Sequence, residues 1–358
     1  MSKFFSEKFA ALTPYTPGEQ PKDAEYIKLN TNESPFPVPE SVRNVAQIEA
    51  GKANLYSDPE CTRLVEKAAE YFGVEKDELL FTNGSDEILN FAFTAFCDQS
   101  HPIVFPDITY GFYPVFAKLN FVPYRTIPLK ADFSIDYREY LHLNENIVIA
   151  NPNAPTGLSL SVSEVEEIVK SNPDNVVIID EAYVDFGGES CVPLIKKYKN
   201  LLVTQTFSKS RSMAGARLGV GIADKSLIAD LNTVKYSTNP YNVNRMTMMM
   251  GYQALCEDEY FQNNCKIICE NREYTSSALK EMGFEVLDSK TNFLFARSEK
   301  IDGKEWYERL KAKGVLVRHF TAKRISDFNR ITIGMKEQMD VFLQKTKEIL
   351  KEKDYENK

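Results

Sequence analysis

Lys209 stands in the stretch Gln205-Thr206-Phe207-Ser208-Lys209, directly after the strand-like run Leu201 to Thr204. An acid-ended strand, Val176-Val177-Ile178-Ile179-Asp180, precedes it and Arg217 follows it. An amine, a carboxylate, and a guanidinium with nearby hydroxyls are what pyridoxal phosphate requires. The amine condenses with its aldehyde, the carboxylate keeps its ring nitrogen protonated, and the cation and hydroxyls take its phosphate. Taken singly these residues have ordinary explanations: a lysine near a strand end is usually solvated, and an aspartate closing a strand is often a helix cap. The set has to be judged by what surrounds it.

Upstream, Leu79 to Thr82 reads as a strand and Asn83-Gly84-Ser85-Asp86-Glu87 as a turn opening a helix from Ile88 to Cys97. Free N–H groups of Gly84, Ser85 and Asp86 at such a helix start would favour a phosphate. The ordinary reading is a Ser/Asp cap with Glu87 in the first turn. Tyr110, in Ile108-Thr109-Tyr110-Gly111, could stack on a flat ring, although a lone tyrosine there is usually packing. The buried strand Ile147 to Ala150 runs into Asn151-Pro152-Asn153-Ala154-Pro155-Thr156-Gly157, which fixes the backbone where ligands sit in open α/β sheets. In Asp180-Glu181-Ala182-Tyr183 a phenol follows the acid by three residues. In Met213 to Gly219 small residues permit close backbone approach, and Arg217 can hold a phosphate in bidentate fashion.

Five segments in this order resemble the aspartate-aminotransferase superfamily of fold-type-I pyridoxal-phosphate enzymes, over essentially the whole chain. Within it the chain is similar to the histidinol-phosphate aminotransferase family. The narrower resemblance rests on Leu12-Thr13-Pro14-Tyr15-Thr16-Pro17-Gly18, Lys28 to Pro35, Asn54-Leu55-Tyr56-Ser57-Asp58-Pro59, Val317-Arg318-His319-Phe320 and Phe328 to Gly334. It implies that Lys209 carries the cofactor and shuttles the proton, Asp180 pairs with the ring nitrogen, Tyr183 bonds the ring oxygen and Tyr110 stacks on the ring. It further implies a phosphate held by Gly84, Ser85, Asp86, Thr206, Ser208 and Arg217, and by Tyr56 of a second copy, so that a homodimer shares its sites. Asn153 is placed with the cofactor. Tyr15, Asn32, Arg318 and Arg330 are placed with the substrates, histidinol phosphate and 2-oxoglutarate or glutamate. An aromatic amino-acid aminotransferase or a threonine-phosphate decarboxylase could use nearly the same residues.

One position departs from the pattern. Ala154 stands where relatives commonly carry a second asparagine, at a cost of roughly 1 kcal/mol for one neutral hydrogen bond. Arg211, two residues after the lysine, reads as a solvated surface arginine.

The elements that must position these residues alternate strand and helix from about 59 to 236. They predict an α/β fold, a mostly parallel sheet flanked by helices, with a smaller α+β domain. Residues 31–245 form the expected large domain, and 1–30 with 246–358 a discontinuous small one. Pro59 is expected to start a helix that Gly73 ends. The methionine-rich segment from Tyr241 reads as a long interdomain helix, and the charged tail Lys351 to Lys358 as frayed.

The chain has 358 residues, a net charge of -8 and 43% hydrophobic content, enough for a large core. No basic stripe is present to track nucleic acid. No apolar stretch reaches the length of a membrane span and the first residues do not resemble a signal peptide, so a cytoplasmic location is expected. The DNA-binding domain of a fold-borrowing regulator has no expected place, since the motifs begin within the first twenty residues. Gly219-Val220-Gly221 lacks the third glycine of a dinucleotide fingerprint. The six cysteines and three histidines show no metal-ligand spacing.

Overall fold

The computed structural model describes every residue except Met1, Ala11, Asp23, Asn357 and Lys358. After a short β1 (Ile27–Lys28) come seven strands: β2 (Leu79–Thr82), β3 (Ile103–Pro106), β4 (Tyr124–Ile127), β5 (Asn146–Ala150), β6 (Val177–Asp180), β7 (Leu201–Thr206) and β8 (Gly219–Ala223). Five more follow: β9 (Phe284–Val286), β10 (Phe293–Ser298), β11 (Val315–Leu316), β12 (Arg318–His319) and β13 (Asn329–Thr332).

The seven strands form one sheet in the order β2-β8-β7-β6-β5-β3-β4, parallel throughout except that β8 runs against both its neighbours. β5 and β6 are buried along their whole length, as strands covered on both faces must be. Alternate residues feed two cores: Ile147, Ile149, Val177 and Ile179 pack on one face, Val148 and Ile178 on the other. This is the expected α/β architecture.

A four-strand antiparallel sheet, β12-β13-β10-β9, and the parallel pair β1-β11 make the smaller part. Its core is built around Leu29, Phe293, Trp306 and Phe342. Because β1 pairs with β11, the chain near residue 30 returns to this part.

Three local expectations shift. The first helix after Pro59 is Thr62–Phe72, beginning where the Asp58 carboxylate accepts from the Thr62 N–H at 2.8 Å; Gly73, at φ 66, ends it as expected. The methionine-rich helix Arg245–Cys256 does not bridge: Met248, Ala254 and Leu255 all lie in the large sheet's core, beyond the boundary at 245. The bridge is the next helix, Asp258–Glu281, with Phe261 in the first core and Cys265, Ile268 and Leu279 in the second. The tail is helical through Glu356, held by Arg309–Glu356 and Lys353–Glu305 ion pairs; its last two residues lie outside those described. Among the described residues no helix is long and apolar enough to cross a membrane.

Candidate active site

Parallel strands deliver their following loops to one rim, and here the rim carries the chemistry. β2, β6 and β7 end at Thr82, Asp180 and Thr206, and antiparallel β8 starts beside them at Gly219. A cavity of about 200 Å³ opens there. Ser85, Asp86, Tyr110, Asp180, Tyr183, Thr206, Ser208, Lys209 and Arg217 line it, so residues far apart in the chain meet as the sequence suggested.

Asp180 is buried at the cavity floor and accepts hydrogen bonds from Tyr113 at 3.0 Å and Thr204 at 3.2 Å. Burial pushes its carboxyl up to about 6 against those two bonds, with the nearby Asp86 charge adding to the rise. The Lys209 amine reaches the Thr31 carbonyl at 3.4 Å and lies 5.8 Å from the centre of the Tyr183 ring. Asn32 donates from Nδ2 to the Tyr183 hydroxyl at 2.9 Å; its own backbone sits at φ 56, held by Thr332.

At the anion end, helix Ser85–Phe96 points its start into the cavity. Arg217 reaches Asp86 at 3.1 Å, Tyr110 donates to the same carboxylate at 2.8 Å, and the Thr206 and Ser208 hydroxyls are 3.0 Å apart. Two glycines make this closeness possible. A Cβ on Gly219 would lie 2.3 Å from the Ser85 nitrogen, and one on Gly84 would lie 2.5 Å from the Arg217 guanidinium.

A second cavity, of about 420 Å³, shares Thr31, Tyr110, Ala154, Tyr183 and Lys209 with the first. Tyr15, Asn32, Arg318 and Arg330 line its far side. Arg330 donates to the Asn30 carbonyl at 3.2 Å while its Nε has no partner; burial lowers its pKa, and Arg318 nearby lowers it further.

Several expectations need correction. The Gly84 N–H is not free, because it donates to Thr82 at 2.9 Å; the glycine's contribution is clearance for Arg217. The Asn153 amide is taken up by Thr156 of its own loop and by the neighbouring 108–109 segment, donating to Ile108 and Thr156 at 3.0 Å and accepting from Thr109 at 2.7 Å, and it does not line the cavity. Arg211 is 5% exposed, not solvated: it pairs with Asp258 at 2.7 Å and donates to Tyr71 at 2.7 Å, pinning the backbone beside Lys209. Tyr56, expected to serve a second copy and not its own chain, is 80% exposed and lies outside its own chain's cavity, stacked on Tyr241 at 4.6 Å. Ala154 lines both cavities, and its methyl group offers no hydrogen bond where the amide would stand.

Sequence reasoning missed Tyr113, Thr204 and Glu33. Tyr113 and Thr204 reach Asp180 from other elements, and Glu33 lines the lysine's cavity while paired with Lys28 at 2.6 Å. The one available signal was Thr204 itself, a polar residue on the same face as Leu202 inside a buried strand.

Comparison with known proteins identifies the family. The family model of aminotransferase class I and II matches residues 24–345. The histidinol-phosphate aminotransferase of Brachyspira hyodysenteriae is 48% identical over 98% of this chain and 100% of its own length. That of Clostridium acetobutylicum is 45% identical over 98% of this chain and 100% of its own. Among solved structures, the histidinol-phosphate aminotransferase of Sinorhizobium meliloti in complex with pyridoxal-5'-phosphate superposes with a TM-score of 0.87 at 21% identity, covering 98% of this chain and 99% of that one. The chain belongs to the class I and II aminotransferases and, within them, to the histidinol-phosphate aminotransferase family.

Proposed function

We propose that this protein is a pyridoxal-phosphate-dependent transaminase that moves the amino group of histidinol phosphate to 2-oxoglutarate, giving imidazole acetol phosphate and glutamate in histidine biosynthesis. The carrying observation is the arginine pair, Arg318 and Arg330, in a cavity that opens onto Lys209.

The residues present fit the cofactor. A buried carboxylate with no cation bonded to it among the described residues lies at one end of the first cavity, and a helix start with Arg217 and two hydroxyls at the other. The close approach at Gly84 and Gly219 leaves the cradle between them open. When bound, pyridoxal phosphate supplies a protonated pyridine ring that withdraws electrons from the carbon whose C–H bond breaks.

The chain's own groups do the rest. Asp180 accepts the ring N–H and, being buried, favours that cation strongly. Tyr183 receives the Asn32 amide proton on its oxygen, which leaves its own O–H free to donate to the ring oxygen. Lys209 anchors the cofactor at rest and moves the proton at the substrate's α-carbon through Nζ. Arg330 and Arg318 bind the anionic end of either substrate, since a guanidinium fork suits phosphate and carboxylate alike.

The active form is a homodimer in which Tyr56 reaches the partner's phosphate site. Supporting this, Tyr56 and Tyr241 stack on each other with both rings exposed, and neither lines its own chain's cavity. Paired turnover assays with histidinol phosphate and phenylalanine test the function. A much higher kcat/KM for histidinol phosphate is expected, and equal values would favour an aromatic aminotransferase.

A further inference from the structure

Asp180 is held by hydroxyl donors on both of its oxygens, Thr204 on Oδ1 at 3.2 Å and Tyr113 on Oδ2 at 3.0 Å. One donor would leave the carboxylate free to turn; two on opposite oxygens fix its plane. Tyr113 is fully buried and packs edge-on against Phe105 at 5.7 Å and Tyr110 at 5.6 Å, so its ring cannot carry the hydroxyl away. Burial and the adjoining Asp180 push the phenol's pKa well above its usual value, which keeps it a donor.

The surroundings oppose ionisation of Asp180. Burial is the largest influence, and Asp86 adds a like charge from helix Ser85–Phe96, partly answered by its own contacts with Arg217 and Tyr110. Lys209 lines the same cavity. The largest influence in the opposite sense is the Tyr113 hydrogen bond, ahead of Thr204.

We propose that Tyr113 is a positioning residue of this site, which orients Asp180 and keeps it ionised for the ring nitrogen of pyridoxal phosphate. The inference rests on the cofactor reading given above. Tyr113 itself lines neither cavity; it acts through Asp180, and Thr204 supports the other oxygen.

The test uses the full-length chain as wild type, Tyr113→Phe, Thr204→Val and Thr204→Ser. The Asp180 midpoint is read in the cofactor-free chain from its side-chain carboxyl carbon resonance, and cofactor affinity is read by absorbance titration across pH. Tyr113→Phe should raise the midpoint by about one pH unit, a tenfold change in acidity. It should weaken cofactor binding by about threefold midway between the two midpoints, where the wild-type carboxyl is mostly ionised and the variant's mostly protonated. Thr204→Val should shift the midpoint less in the same direction, and Thr204→Ser should leave it in place.

A folded Tyr113→Phe chain with an unmoved midpoint overturns the proposal, because a tyrosine that only fills space would not affect it. If that variant does not fold, the threonine pair decides: a shift in Val but not Ser supports donor control of Asp180, and equal behaviour overturns it. A wild-type chain that binds no pyridoxal phosphate defeats the cofactor reading, and the cofactor-free titration separates that result from failure of the Tyr113 link.

Discussion

Arg318 and Arg330 are directly opposed across the antiparallel pair β12-β13, so both side chains leave the sheet on the same face. Two like charges in that position are unfavourable unless an anion joins them. Aromatic rings temper the repulsion: both guanidinium groups lie within 6 Å of the Phe320 ring centre, at 5.9 Å and 5.8 Å.

The two arginines should separate on mutation. Arg330→Ala should impair both half-reactions. Arg318→Ala should hurt histidinol phosphate more than an aromatic donor, by roughly 1.5–3 kcal/mol for a charge-assisted hydrogen bond. The comparison of kcat/KM for the two donors checks it, and equal losses would count against a phosphate role for Arg318.

Lys209 should be the attachment point of the cofactor. Borohydride treatment followed by peptide mass analysis should find the reduced adduct on Lys209. Lys209→Ala should bind the cofactor yet turn over no substrate. Label on another lysine would refute the assignment.

Tyr56 offers a test of site sharing. Tyr56→Phe should weaken cofactor affinity by about 1 kcal/mol or more, since the lost bond is to a charged acceptor. Mixed dimers of Tyr56→Phe and Lys209→Ala chains should each recover one competent site, measured as activity regained on mixing. A mixture without recovery would remove Tyr56 from the partner's site.

The buried acids set a pH dependence of stability. Burial raises Asp180 from 3.8 to about 6 and Glu181 from 4.5 to about 7. A folded-state value above the unfolded one means that the native state binds protons more tightly. The contribution is therefore full below about pH 4 and is lost as pH rises through 6 to 7. The cofactor-free chain should weaken across that window, and Asp180→Asn should weaken less, by about 3 kcal/mol at roughly 1.4 kcal/mol per pKa unit. Urea melts at successive pH values measure the difference, and parallel slopes for the two proteins would contradict it.

Much of the site was legible because its chemistry lies in short stretches at strand ends. Lys209 with Ser208, Asp180 with Tyr183, and Ser85 with Asp86 each announce themselves through a loop whose strand was readable from its apolar run. What was not legible came from distance. Tyr113 meets Asp180 from 67 residues away, and nothing local marks a tyrosine inside an ordinary helix as its partner. Arg211 differs for the same reason: it sits in a turn, and its partners, Tyr71 and Asp258, come from two helices distant in the chain and turn a sequence-exposed cation into a buried one. Asn153 is a like case, since Ile108 and Thr109, 45 and 44 residues earlier in the chain, claim an amide that a motif would assign to a ligand. The fold's periodic strands were read well, whereas the bridging role fell one helix later than the methionines suggested.

The reversed strand β8 has a consequence for how the chain tolerates changes of length. Thr206 pairs with Gly219, closing residues 207–218 into a ring stitched inside by Phe207 to Leu218 and Met213 to Phe207 backbone bonds. At the other rim loops an inserted residue could bulge into solvent beyond the functional pair. Here the same ring carries both Lys209 and Arg217, so an insertion or deletion must misplace the amine and the anion clamp together. This loop should therefore be the least permissive site for indels on the whole rim.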